Sequence, residues 1–287
     1  MKLLMITADD LGADEGRNGG IFETIQAGIV TGASILANGP ALQDALRCIR
    51  ALESVEVSFG VHLNLSEGRP ICSGLRLLAG PHGDFLGKAA AHRLCMREGD
   101  HALETELARE LDAQVEALLD SGIRIGHLDG HQHVHVFPAV LHATMATARR
   151  HNIPWVRVPE EPDFPTWAGV VQEGLAEEAR AFSRLARIAR PQVGIQGLAT
   201  TDSFLGLYLK DRLSPVILKS MCRSIPEGLT ELMVHPGRTR PNPGTGPFSV
   251  FSIAHREREL EALLDPGFRL ALRDAGVVLT PFPEVSH

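Results

Sequence analysis

Apolar runs of strand length alternate with segments of helical period along nearly all of the 287 residues, which predicts parallel strands joined by crossover helices. The first strand, residues 3–8, ends at Asp9-Asp10. A helix at 19–29, a strand at 33–37 and a helix at 41–52 follow. The next strand, 55–65, alternates Val57, Phe59, Val61, Leu63 and Leu65 with Ser58, Gly60, His62 and Asn64, so His62 and Asn64 share the polar face. Residues 66–101 are rich in Gly and Pro and predict a substrate-facing loop or lid. Helix 102–119 carries Leu103, Leu107, Leu111, Val115 and Leu118 on one stripe, and Gly122 ends it.

The alternation continues with strand 124–128, helix 139–150, strand 155–158, a helical segment at 171–190 and a strand at 193–200. Helix 215–223, strand 230–234, helix 254–264 and strand 277–280 complete it. Seven or eight such units in a chain of this length predict one α/β domain over 1–287, a distorted TIM-like (β/α) barrel. The alternative is an open doubly wound sheet, whose first turn is normally glycine-rich to cradle a pyrophosphate. Here that turn is Asp9-Asp10-Leu11-Gly12, which repels one.

A hydrophobic content of 44% is ample for a large core, and a net charge of −7 argues against a nucleic-acid partner. Cys48, Cys72, Cys95 and Cys222 form no C-x-x-C pair and are expected to be reduced thiols of a cytoplasmic protein. Asp9 and Asp10 cut the first apolar run too early for a signal peptide, and no later segment has the ~18 uncharged apolar residues of a membrane span.

Polar residues gather at the carboxyl ends of the predicted strands: Asp9 and Asp10, Asn38, His62 and Asn64, Asp129 and His131, and His235. In a barrel these ends converge on one mouth. The densest group is His127-Leu-Asp129-Gly-His131-Gln-His133-Val-His135, a donor set suited to borderline divalent cations. If extended, it sends His131, His133 and His135 to one face. A solvated His-rich loop is the competing reading. Adjacent carboxylates cannot both point the same way from an extended strand, so one of Asp9 and Asp10 is expected on the metal and the other beside the reacting water. Two histidines and a carboxylate leave coordination positions open, as catalysis requires. The His235-Pro-Gly237 turn holds an imidazole at the same mouth, placed to protonate a leaving amine.

Thr7-Ala-Asp-Asp-Leu-Gly12, Gly60-Val-His-Leu-Asn-Leu65, His127 to His135 and Val234-His-Pro-Gly237, in that order, resemble the YdjC-like carbohydrate deacetylases. The resemblance implies a TIM-like barrel and metal-dependent hydrolysis of an N-acetyl group on a sugar, chito-oligosaccharide-like or lipid-linked, with release of acetate. By motif position it implies Asp10, His62 and His131 as metal ligands, Asp9 as general base and His235 as general acid. It also implies one Mg2+, although two imidazoles and a carboxylate suit Zn2+ at least as well. Gly130 and Gln132 depart from the family pattern, where Ser and a further His are common; Gln132 makes a second metal less expected. Asp129, His133 and His135 are left as orienters or substrate contacts, with no role fixed for His127.

Two rival functions remain. A metal-dependent phosphoesterase would use Arg157, Arg238 and Arg240 as phosphate clamps, and a non-catalytic sugar binder would keep the barrel without turnover. Trp155, Trp167 and Tyr208 make a poor platform for a long glycan, so a short substrate is expected. Specificity is expected in 66–101, 159–171 and 238–250, and a homodimer through Trp167 or Leu205-Gly-Leu-Tyr208.

Overall fold

Among the described residues the apolar runs form eight strands: β1 (Lys2–Leu11), β2 (Gly32–Ile35), β3 (Ser58–Leu63), β4 (Ile125–Gly130), β5 (Trp155–Val156), β6 (Ser203–Leu205), β7 (Gly228–Val234) and β8 (Val277–Leu279). The helices are α1 (Glu15–Gln26), α2 (Leu42–Arg50), α3 (Lys88–Cys95), α4 (His101–Leu119), α5 (Pro138–Arg150), α6 (Glu173–Ile195), α7 (Pro215–Cys222), α8 (Ala254–Leu264) and α9 (Pro266–Asp274). This is a computed structural model that describes residues 1–52, 55–162, 169, 171–240 and 246–283. Trp167 and parts of the 159–171 and 238–250 segments lie outside the described residues. Among the described residues no helix is long and apolar enough to cross a membrane.

Every strand pairing is parallel, in the order β5-β4-β3-β2-β1-β7-β6. β8 pairs with the start of β1, Lys2 to Leu4, while β2 pairs from Thr7 onward, so the two share one edge of β1. Ala199, in the segment that leads into β6, makes an isolated parallel bridge to Trp155 of β5, and the curled sheet is the distorted TIM-like barrel expected from the sequence.

The helices cover the barrel because their apolar stripes match the outward strand residues. On α4, Leu103, Leu107, Leu111, Val115 and Leu118 are all fully buried, and on β3 Val61 and Leu63 enter the same core. Leu111→Ala should therefore cost about 2–5 kcal/mol of stability, read as a lower urea midpoint with an unchanged slope; an unchanged midpoint contradicts this packing. Helix α6 overrules one expectation. It runs on to Ile195, so most of 193–200 is no strand, and the sixth strand is Ser203–Leu205. The β-branched Val193 and Ile195 read locally as strand, but Ala179, Phe182, Ala186, Ala189 and Val193 are buried at helical spacing. The 66–101 stretch also contains α3, and Leu205, Leu207 and Tyr208 are core residues rather than an exposed docking surface.

The barrel interior is polar toward its mouth and closed at the other end by aromatics. Phe282 stacks on His127 with centroids 4.2 Å apart, and Trp155 Nε1 donates to the Pro283 carbonyl at 2.9 Å. Gly60 makes room for His127, since a Cβ there would lie 2.3 Å from Nε2. Burial depresses the pKa of His127 from 6.5 to about 3 and that of His135 from 6.5 to about 4. Between those values and 6.5 the unfolded chain binds protons that the folded chain does not, so stability falls as pH drops through this window. The slope is about 1.4 kcal/mol per pH unit for each histidine. Urea unfolding across this range should show it, with a shallower dependence in His127→Gln; an unchanged dependence contradicts the assignment.

Candidate active site

The first strand departs from regular pairing where its carboxylates stand. Ala8 pairs with Ala33 but Leu11 with Ile35, so β1 has one more residue than β2 over this interval. Asp10, inside the bulge, has φ 67, a left-handed conformation that costs an aspartate on the order of 1 kcal/mol. The alternation of the strand is broken there, and Asp9 and Asp10 line the same cavity. An extended strand would have pointed them apart.

His62 from β3 and His131 from the turn after β4 meet Asp10. Asp10 Oδ1 lies 2.8 Å from His131 Nδ1 and 3.3 Å from His62 Nε2. Each imidazole turns its other nitrogen to a carboxylate: His62 Nδ1 to Asp129 at 2.8 Å and His131 Nε2 to Glu67 at 3.2 Å. Burial opposes a charge on His62, yet Asp129 and Asp9, with hydrogen bonds to Asp10 and Asp129, raise its pKa to about 10. His131 is raised in the same way against burial, chiefly by Asp10, and Asp10 is held well below the usual carboxylate range against burial by His131 and His62. The field that draws protons onto these imidazoles also favours a cation, which would displace them. Three convergent donors, each imidazole oriented from behind, thus fit a divalent metal ion. Asp9, His62 and Asp129 form a second convergent group, but Arg157 already occupies both of its carboxylates, and a cation there would face a guanidinium.

Asp9 is held bidentately by Arg157, at 2.7 and 2.8 Å, and its Oδ2 lies 4.0 Å from His62 Nε2. Arg157 also meets Asp129 at 2.8 Å and Glu231 at 2.9 Å, all with buried side chains. Burial pushes the Asp9 pKa up, in opposition to Arg157, and raises Glu231 likewise. Asp129 stays well below the usual range because Arg157 and His62 overcome its burial. Ser34 Oγ donates to Asp129 at 2.6 Å and lies 2.9 Å from His127 Nε2, which ties His127 to the back of this network.

His131, His133 and His135 do not share a face. Gln132 and His133 have φ 53 and φ 57, so the segment is a left-handed and 3-10 turn rather than extended chain. Only His131 reaches Asp10; His133 packs edge-on against Phe182 at 4.9 Å, and His135 Nε2 bonds the Arg157 carbonyl at 2.9 Å. His235 lines the same cavity, where burial and Arg256 hold its pKa well below 6.5. The cavity is about 270 Å3 and also presents Phe251, whose ring lies 5.4 Å from that of His131.

Residues 3–274 match the family described as YdjC-like protein. The chain belongs to the YdjC-like family. It is 36% identical over 296 residues to a carbohydrate deacetylase of Mus musculus, covering 96% of this chain and 92% of that one. It is 31% identical to a carbohydrate deacetylase of Geobacillus stearothermophilus over 99% and 98% of the two chains. A crystal structure of a candidate cellobiose-phosphate cleavage protein from Enterococcus faecalis V583 aligns with a TM-score of 0.73 at 22% identity, over 98% of this chain and 97% of that one, and shows the shared fold.

Some members of this YdjC-like site carry weak signals in sequence. Glu67 stands two residues beyond the strand predicted at 55–65, where only loop was expected. Arg17 lies in the first turn of α1 without any motif, yet it is buried against Phe251, with Nη2 donating to the Phe251 carbonyl at 2.6 Å. Glu231 lies on the apolar seventh strand, where its inward position was a usable sign.

Proposed function

We propose that this YdjC-like chain is a metal-dependent carbohydrate N-deacetylase that hydrolyses the N-acetyl group of an amino sugar or short oligosaccharide and releases acetate. The reading rests most on Asp10, His62 and His131 converging at the cavity that Asp9 and His235 also line. A divalent ion held there supplies positive charge that polarises the acetamide carbonyl and acidifies water. Magnesium is the ion implied by family resemblance, and zinc is equally compatible with the donors.

The remaining chemistry belongs to side chains. Asp9 accepts a proton from the attacking water; Arg157 fixes both of its oxygens, and burial raises its basicity toward the range a general base needs. His235 is neutral at rest; the proton that Asp9 takes from water returns by way of His235 to the sugar nitrogen as the C–N bond of the tetrahedral adduct breaks, which also restores Asp9 to its carboxylate form. The proton lost by water thereby balances the one gained by the amine. Phe251 offers an apolar face, and the cavity's modest size suits a short sugar.

The phosphoesterase alternative loses its clamps. Arg157 is committed inside the barrel, Arg238 pairs with Glu23 and Glu257, and Arg240 with Glu15. Acetate release from N-acetylglucosamine oligomers should require Mg2+ or Zn2+ and be lost on chelation. Faster hydrolysis of p-nitrophenyl phosphate, or sugar binding without acetate release, would contradict the proposal.

A further inference from the structure

We infer that Glu67 is a positioning residue that sets the ring orientation and tautomer of His131 for metal binding, an inference that rests on the metal site proposed above. Glu67 Oε2 faces His131 Nε2 at 3.2 Å, and Glu67 Oε1 accepts from Gln132 Nε2 at 3.0 Å. A carboxylate at Nε2 keeps the proton there and leaves the Nδ1 lone pair toward Asp10 and His62. The same carboxylate also holds the side chain of Gln132, whose backbone is in the left-handed region directly after His131. Asp129 supports His62 in the same manner, so each imidazole of the trio has its own carboxylate behind it.

Glu67 is itself held by construction. Asn64 Oδ1 accepts from the backbone N–H groups of Ser66 and Glu67 at 3.0 and 3.1 Å. The Glu67 carbonyl accepts from Asn64 Nδ2 at 2.8 Å and Asn38 Nδ2 at 3.0 Å. The polar ends of β2 and β3 thus grip the chain where the 66–101 loop leaves the barrel, and the loop folds back on itself there, Gly87 N–H donating to the Ser66 carbonyl at 3.0 Å. Two strand ends and a loop converge to place one carboxylate behind one imidazole.

The test uses the purified full chain with Zn2+ or Co2+ alone, titrated against a competing chelator, with no sugar present. Glu67→Ala should weaken metal affinity by about 10–100-fold and alter the visible spectrum of the cobalt form. Glu67→Gln, which keeps an acceptor for His131, should lie between the parent and Glu67→Ala and controls for folding. Affinity and cobalt spectrum matching the parent in Glu67→Ala would overturn the inference. So would unchanged affinity with only a raised KM for acetylated sugar, which would make Glu67 a substrate contact. A parent chain that binds neither metal would overturn the proposed function as well, whereas a metal-binding parent with an equally metal-binding Glu67→Ala sinks this inference alone.

Discussion

Asp9→Asn is expected to lower kcat for acetate release by about two to four orders of magnitude, the usual worth of a positioned general base, while metal uptake stays near that of the parent. The amide preserves the size of the carboxylate and one acceptor for Arg157, but it takes no proton from water. Asp9 is not among Asp10, His62 and His131, so the trio proposed to hold the metal keeps its donors. KM should change little, because the lost interaction is made in the transition state rather than in the bound substrate. Steady-state acetate release and metal content, measured on the same preparation, check both halves. Parent-like turnover would remove Asp9 from the chemistry.

Arg157→Leu should be among the most destabilising single substitutions available. Asp9, Asp129 and Glu231 all contact this one buried guanidinium, and its removal leaves three buried carboxyl groups without their shared cation. Breaking one buried pair already costs about 3–5 kcal/mol, against a total stability of about 5–15 kcal/mol for ordinary domains. Protonation gives partial relief, since burial already raises Asp9 and Glu231. Arg157→Lys, which keeps the charge but not the fork that reaches several carboxylates at once, should fall between the two. Urea unfolding reads the order parent, Arg157→Lys, Arg157→Leu; equal midpoints would show that the network contributes nothing to the fold.

Much of this was legible in the residues themselves. The period of α4 and the paired aspartates that follow the first apolar run led to the barrel and to its mouth, although β1 itself runs on through them to Leu11, and His62 fell on the polar face of β3 by simple alternation. What could not be read was backbone that leaves regular geometry. The bulge that brings Asp9 and Asp10 together depends on a left-handed Asp10, and the turn that separates His131 from His133 and His135 depends on left-handed Gln132 and His133. Neither has the glycine that would announce it. Arg157 looked like a phosphate clamp because nothing in a linear chain shows that Asp9, Asp129 and Glu231 lie around it. Glu67 was hidden for a related reason: its position is set by Asn38 and Asn64, far apart in sequence and joined only by the sheet.

The central claim is that one divalent ion sits among Asp10, His62 and His131. Anomalous diffraction from crystals grown with Zn2+ or Mn2+ tests it most directly. The account predicts one strong peak in contact with Asp10 Oδ1, His62 Nε2 and His131 Nδ1, with none between Asp9 and Asp129. A peak only elsewhere, or none at all in protein that releases acetate, would contradict it.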